Sequence, residues 1–287
     1  LLTPNVRLAL GEGPVWDAGN TRLLVADILG CAIHAFAPDG ARLGTWLFAS
    51  EVGSFGLCRS GRWIVALRHQ VVLFDPRTGA QETIAAPALP APTRFNDGKV
   101  APDGSFWVGT MDDRTPRTAI GALFRIGPDR SCTQVIDGLM VSNGLAWTGD
   151  GRAMFHTDSG AGRIDSWDFD PAAGTATNRR TVFEFTDPAI GRPDGAAFDE
   201  AGVYWSAGVR AGRINRFSRE GRLLASDPFP CPGVTMPCFA GPALRTVFWT
   251  SLRHPLGAEA IAEHPTLGAL FIMESDVAGV PIATFKD

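Results

Sequence analysis

The sequence predicts an all-β chain folded as a six-bladed β-propeller, a single domain over residues 1–287 with a metal ion in its central channel. Two observations predict the propeller: one short apolar strand recurs six times, and turn residues are scattered so evenly that no long amphipathic helix fits between them. A third observation predicts the ion: four oxygen-bearing residues fall at one phase of the repeat.

The recurring unit is a turn or charged residue followed by an apolar strand. It reads Arg22-Leu23-Leu24-Val25, Arg62-Trp63-Ile64-Val65, Ser105-Phe106-Trp107-Val108, Arg152-Ala153-Met154-Phe155, Gly202-Val203-Tyr204-Trp205 and Thr246-Val247-Phe248-Trp249. Successive copies lie about 40 to 50 residues apart, the length of one propeller blade. The 33 glycines and 21 prolines separate short runs rich in Val, Ile, Phe and Trp, the pattern of many short strands. Turn sequences such as Ala101-Pro102-Asp103-Gly104 and Gly149-Asp150-Gly151 precede several copies, so each unit reads as a meander of hairpins. A lone sheet this short cannot bury both faces, whereas six stacked radially share a core. A β-sandwich or two small barrels would contain similar strands without the common period. The ring is expected to close by pairing of Val6-Arg7-Leu8-Ala9-Leu10 with Val280-Pro281-Ile282-Ala283-Thr284-Phe285 in a shared last blade.

With 45% hydrophobic residues and a formal net charge of -4, the chain can bury a sizeable core and is too mildly acidic to point to a polyanion partner. Nucleic acid is not expected as a partner. Nor is a membrane, since no run approaches the roughly 20 apolar residues a spanning helix needs. A cytoplasmic location is the expectation for the sequence in hand, which starts at Leu1 rather than at a methionine. The five cysteines, Cys31, Cys58, Cys132, Cys231 and Cys238, form no CxxC pair and read as reduced core residues, with a Cys231 to Cys238 bridge as the alternative. Oligomeric state leaves no readable trace.

Stepping back from each anchor strand reaches the start of a blade, where its innermost strand begins beside the channel. Glu12 precedes Gly13 there, Asn96 precedes Asp97-Gly98, Asn143 precedes Gly144, and Asp194 precedes Gly195. Rotational equivalence of the blades would bring all four side chains to the axis. Two carboxylates and two amides around one point suit a hard or borderline divalent cation, because the amides add ligation without repulsion. Calcium, zinc, magnesium, manganese and ferrous iron all satisfy that description. The competing reading is that Asn-Gly and Asp-Gly are ordinary turn pairs, although Glu-Gly is not one.

Segments along nearly the whole chain also carry a family likeness: Gly11-Glu12-Gly13-Pro14, Arg94-Phe95-Asn96-Asp97-Gly98-Lys99, Gly109-Thr110-Met111, Ser142-Asn143-Gly144-Leu145, Pro193-Asp194-Gly195, Cys238-Phe239-Ala240-Gly241 and Gly268-Ala269-Leu270-Phe271. On these the chain resembles the regucalcin, gluconolactonase and luciferin-regenerating family of six-bladed propellers. The resemblance implies a metal held by Glu12, Asn143 and Asp194, substrate contacts from Arg94 and Asn96, and hydrolysis of a sugar lactone to its aldonic acid. Some members place a substrate-binding carboxylate shortly after the Gly-Thr-Met segment. This sequence reads Asp112-Asp113-Arg114-Thr115 there, with Arg114 at the aligned position. Asp113 and Arg114 are therefore both candidates for substrate contact, and the arginine would favour an acidic or otherwise different lactone. Residues 112–119 read as a mobile lid.

Opening a cyclic ester needs a polarised carbonyl, an activated water and a stabilised oxyanion, effects a metal supplies. Asp194 is the expected general base, with Asp158 as the alternative, and Arg94 and Asn96 orient the sugar hydroxyls. No GxSxG elbow, HExxH pair, phosphate loop or dinucleotide fingerprint is present, which disfavours the chemistries those motifs serve. His34, His69, His156, His254 and His264 lack ligand spacing and read as surface or structural residues, Asp165, Asp168 and Asp170 as a solvated strand face, and the tryptophans as core. A non-catalytic, metal-stabilised binding propeller is the rival from another class. Lactonase or esterase action on non-sugar or organophosphate substrates is the rival within the enzymes.

Overall fold

The computed structural model describes residues 6–254 and 256–287. Five four-stranded antiparallel sheets and one three-stranded sheet form among them, each a meander in chain order. They cover residues 11–47, 52–85, 93–139, 142–184, 192–228 and 234–274, here blades 1 to 6. The innermost strands are Gly11–Asp17, Val52–Leu57, Thr93–Val100, Ser142–Trp147, Arg192–Phe198 and Val234–Ala240. Each packs beside the innermost strand of the next blade, and that of blade 6 packs beside that of blade 1, which closes the ring.

Every anchor predicted from the sequence falls in the second strand of its blade. These strands are sandwiched between neighbouring sheets, so they are apolar on both faces rather than alternating. Trp63–Leu67 is buried at every position, whereas the fourth strand of blade 1, Arg42–Leu47, is mostly exposed. Trp63, Trp107 and Trp249 are fully buried. Trp107 meets Trp147 and Phe169 edge-on at centroid distances of 6.2 and 5.9 Å, the arrangement aromatic quadrupoles prefer. Trp63, Trp107 and Trp249 on the anchor strands are thus core, whereas Trp205 on that of blade 5 is only partly buried.

Ring closure differs from the expectation, because residues 6–10 and 280–285 do not pair with each other. The first segment lies along blade 6: Leu8 N–H donates to Gly268 O at 2.7 Å and Leu10 bridges Leu252. The second crosses the channel mouth where the innermost strands end. There Val280 N–H donates to Phe198 O (3.0 Å), and Phe285 N–H donates to Leu57 O (2.8 Å). The reason is apolar burial: Phe285 enters the cluster of Cys58, Val100 and Phe106, and Val280 packs on that of Ala146 and Phe198. All five cysteines are free, Cys231 and Cys238 included. Among the described residues no helix is long and apolar enough to cross a membrane.

Candidate functional site

All six innermost strands break register within their first half. The shifts lie between Glu12 and Val15, Val52 and Ser54, Asn143 and Ala146, Pro193 and Ala196, and Val234 and Pro237, while in blade 3 the break falls between Phe95 and Gly98. A bulge bends its strand and re-aims the residue beside it. Glu12 and Asn143 sit at two such bulges, each followed by a glycine in the left-handed region, Gly13 at φ 50° and Gly144 at φ 62°, where a side chain would be strained. The X-Gly pairs are therefore bulges inside strands rather than hairpin turns, and they tilt their side chains towards the axis at one end of the channel.

Hydrogen bonds join three of the four predicted oxygen-bearing residues to Arg94. Arg94 Nη1 donates to Asn96 Oδ1, Asn96 Nδ2 donates to Asn143 Oδ1, and Asn143 Nδ2 donates to Asp194 Oδ1, at 2.9, 2.9 and 2.8 Å. Asn143 Nδ2 also reaches Ser159 Oγ at 2.8 Å. Glu12, Arg94, Asn96, Asn143 and Asp194 are all buried. Glu12 accepts from the Gly13 N–H at 3.3 Å.

The electrostatics bind Glu12 to the same cluster. Burial first, then Asp194 and Asp97, holds the Glu12 carboxyl well above its usual range. Burial, with Asp97 alongside, pushes Asp194 up to about 8, opposed by Arg192. Asp97, between Asn96 and Gly98, is a further acidic residue of this cluster, one to which the sequence alone assigns no role. It is buried, raised by that burial, and its Oδ1 has no hydrogen-bond partner, while Oδ2 accepts from Leu145 N–H at 3.2 Å. Its neighbour Lys99 is buried too and donates to Ala196 O at 2.7 Å. The available signal was the alternation of Asp97 with Lys99, two charges that an innermost strand buries only at a cost.

The buried carboxylates of Glu12 and Asp194, with Asp97 Oδ1 left without a partner, offer the hard oxygens that a divalent cation takes. Among the described residues no group of three or more His, Cys, Asp or Glu side chains is arranged to hold a metal. A cation here would draw on amide oxygen as well as carboxylate.

Asp113 joins the cluster through arginine: its Oδ2 accepts from Arg68 Nη2 at 2.7 Å, and its Oδ1 lies 3.4 Å from Arg94 Nε. Arg114 is not brought to it. Its guanidinium folds back on Asp112, with Nε to Oδ1 at 3.0 Å and Nη2 to Oδ2 at 2.9 Å. Asp112 also accepts from the Arg114 and Thr118 amides, so residues 112–119 are folded around a buried carboxylate. Asp158, the alternative base, has its oxygens taken by the backbone N–H groups of Met140, Val141, Gly160 and Ala161 at 3.0 to 3.2 Å. It is a blade-corner residue, as Asp27 is in blade 1. His156 is fully buried, bonded to Ser142 Oγ and pushed down to about 4 by that burial. Asp165 is buried against Arg163 and Arg179 rather than solvated.

The description "SMP-30/Gluconolactonase/LRE-like region" matches residues 10–253, a span that includes every residue of this cluster. The chain belongs to the SMP-30/gluconolactonase/LRE-like family. Among its relatives in this family, the 6-deoxy-6-sulfogluconolactonase of Pseudomonas putida is 37% identical over 271 residues, covering 94% of this chain and 92% of that one. Regucalcin of Danio rerio is 31% identical over 275 residues, covering 95% and 93%. The structure of a luciferin-regenerating enzyme superposes with a TM-score of 0.89 at 27% identity over 99% of this chain and 97% of the other. That enzyme and this chain thus share one fold over nearly their whole lengths.

Proposed function

We propose that this protein hydrolyses a sugar lactone to the open aldonic acid, using one divalent cation held by Glu12, Asn143 and Asp194. The observation that carries the reading is the buried cluster itself, in which hydrogen bonds join Arg94, Asn96, Asn143 and Asp194 and burial raises the carboxyls of Glu12 and Asp194. Membership of a gluconolactonase-like family and the name of the Pseudomonas putida relative support the lactone class. When bound, the cation supplies positive charge that stabilises the oxyanion of ester cleavage and makes water more acidic.

The chain's own residues do the rest. Asp194 takes the proton of the water that attacks the lactone carbonyl carbon. As the tetrahedral adduct collapses, the bond from that carbon to the ring oxygen breaks, and Asp194 returns the proton to the departing oxygen. Arg94 presents N–H donors to the sugar hydroxyls, and Asn96, whose amide hydrogens go to Ser142 O and Asn143 Oδ1, orients that guanidinium through its Oδ1. Asp113, between Arg68 and Arg94, holds the Arg94 guanidinium in place, so that the lactone is bound in one orientation.

The test follows acid release from gluconolactone, xylonolactone and related aldonolactones, with and without chelator. Hydrolysis that chelator abolishes and added cation restores is expected. Absence of cation-dependent hydrolysis of every lactone would instead favour a binding propeller.

A further inference from the structure

Each four-stranded blade ends in an outermost strand at the edge of its sheet, where unpaired N–H and C=O groups offer a template for another chain unless charges, proline or bulges discourage it. Four of the five carry such features. Gln81–Ala85 presents Glu82, Cys132–Leu139 has two register shifts and Asp137, Thr175–Glu184 presents Arg179 and Arg180, and Leu223–Pro228 ends in Asp227 and Pro228. Arg42–Leu47 of blade 1 has one charge, at its first position, and no proline. Its exposed side chains are apolar instead. Leu43 and Leu47 are 58% and 75% exposed, and Leu29 is 40% exposed in the turn before the third strand. These are three of the five large exposed apolar side chains among the described residues, gathered on one blade.

Packing sets the two faces of this strand. Trp46 turns towards blade 2, where its ring meets Trp63 edge-on at 4.7 Å and its Nε1–H donates to Pro76 O at 2.8 Å. Exposure alternates from Leu43 to Leu47, so Leu43, Thr45 and Leu47 share the opposite face. Gly44 pairs with Ala35 and Arg42 with Phe36, which leaves Leu43 without a partner in the third strand. The backbone has a direction as well. Phe48 N–H donates inwards to Cys31 O at 2.9 Å. Hydrogen-bonding direction alternates along an antiparallel strand, so Trp46 also bonds inwards, while Thr45 and Leu47 turn N–H and C=O to the free edge.

The occupant that fits this edge is a second copy of the edge itself. Leu43-Gly44-Thr45-Trp46-Leu47 has leucines placed symmetrically about Thr45. Antiparallel pairing of two copies with Thr45 on the two-fold axis sets each Leu43 opposite the other copy's Leu47 and each Trp46 opposite a glycine, which leaves room for the indole. The same register makes Thr45 a hydrogen-bonded pair with itself, using the backbone groups that already face outwards. A slip by one residue would set the leucines against the face that packs on blade 2. We propose that this protein self-associates through the fourth strand of blade 1, joining two four-stranded sheets into one of eight strands. A two-fold contact is closed, so association stops at a dimer. The strand lies on the rim of the propeller, and pairing leaves both channel mouths open. Its 6 residues are well below the roughly 20 to 30 a side of a standard interface, so the dimer is weak, with a Kd in the micromolar range.

The test is sedimentation of the full chain from about 1 to 500 μM, a range that brackets a micromolar Kd. The mean mass is expected to climb from the monomer towards twice that value. Leu47→Lys puts an ammonium into both leucine pairs and should weaken association by about tenfold or more, whereas Leu224→Lys, at an exposed leucine on the fourth strand of blade 5, should not. Disulfide trapping reads the register, in a Cys132→Ser background that removes the exposed native thiol. Opposed Cα atoms in a hydrogen-bonded pair lie about 5.5 Å apart, within disulfide reach. Thr45→Cys should therefore link to its own copy under mild oxidation, while Leu43→Cys and Leu47→Cys link only when mixed with each other. A monomer at every concentration, or association untouched by Leu47→Lys, would overturn the proposal, as would equal self-linking of all three cysteine variants.

Discussion

Asn143 donates one amide hydrogen to Asp194 Oδ1 at 2.8 Å and, through its own Oδ1, receives one from Asn96 at 2.9 Å. One side chain therefore joins the predicted base to the predicted sugar-binding pair. Asn143→Ala would leave an Asn96 donor and an Asp194 acceptor without this partner inside the channel. Loss of such buried bonds costs about 1 to 3 kcal/mol, to be read by chemical denaturation in chelator. Lactone kcat/KM should fall by about 100-fold or more, as both cation and orientation are lost.

The elevated Asp194 gives the cation-free protein a signed pH dependence. Its folded value of about 8 lies above the ordinary 3.8, so between these values the folded state keeps a proton that the unfolded chain releases. Stability from this group is complete below about pH 3.8 and is lost as pH rises through about 8, because stability falls wherever the native state binds more protons. Thermal melts in chelator should show Tm declining between pH 5 and 9, and Asp194→Asn should flatten the decline. A divalent cation, competing with that proton, should raise Tm more at high pH than at low.

Asp113 and Arg114 are neighbours with opposite expected consequences. Asp113 is bonded to Arg68 and close to Arg94, so Asp113→Ala frees the sugar-binding guanidinium and should raise KM about tenfold with a smaller change in kcat. Arg114 is spent on Asp112, and Arg114→Ala should alter KM by less than about threefold. Steady-state kinetics on one aldonolactone separates the two.

The C-terminal segment supplies a stability test remote from the site. Phe285 is 1% exposed and fills the cluster under Cys58, Val100 and Phe106. Phe285→Ala should cost about 3 to 5 kcal/mol in denaturant unfolding while leaving cation affinity intact.

The anchor strands were legible because burial between two sheets makes them apolar on both faces, a signal strong enough to survive divergence between blades. The common phase of Glu12, Asn143 and Asp194 was legible because each precedes a glycine inside a register shift of its innermost strand. Ring closure was not. Pairing of Phe285 with Leu57 joins residues far apart in sequence, and an apolar segment of six residues carries no mark of which edge or mouth it will cover. Asp97 was hidden for another reason: in Asn96-Asp97-Gly98 it looks like part of a turn, and only the fold shows both it and Asn96 buried.

The central claim is one cation per chain, held at Glu12, Asn143 and Asp194 and required for lactone hydrolysis. Its most direct test titrates a divalent cation into chelated protein while bound cation and acid release from an aldonolactone are followed together. Hydrolysis should be absent at the start, rise in proportion to bound cation and saturate at one equivalent, with neither signal seen in Asp194→Asn. Full hydrolysis before any cation is added, or binding and turnover that persist in Asp194→Asn, would contradict the account.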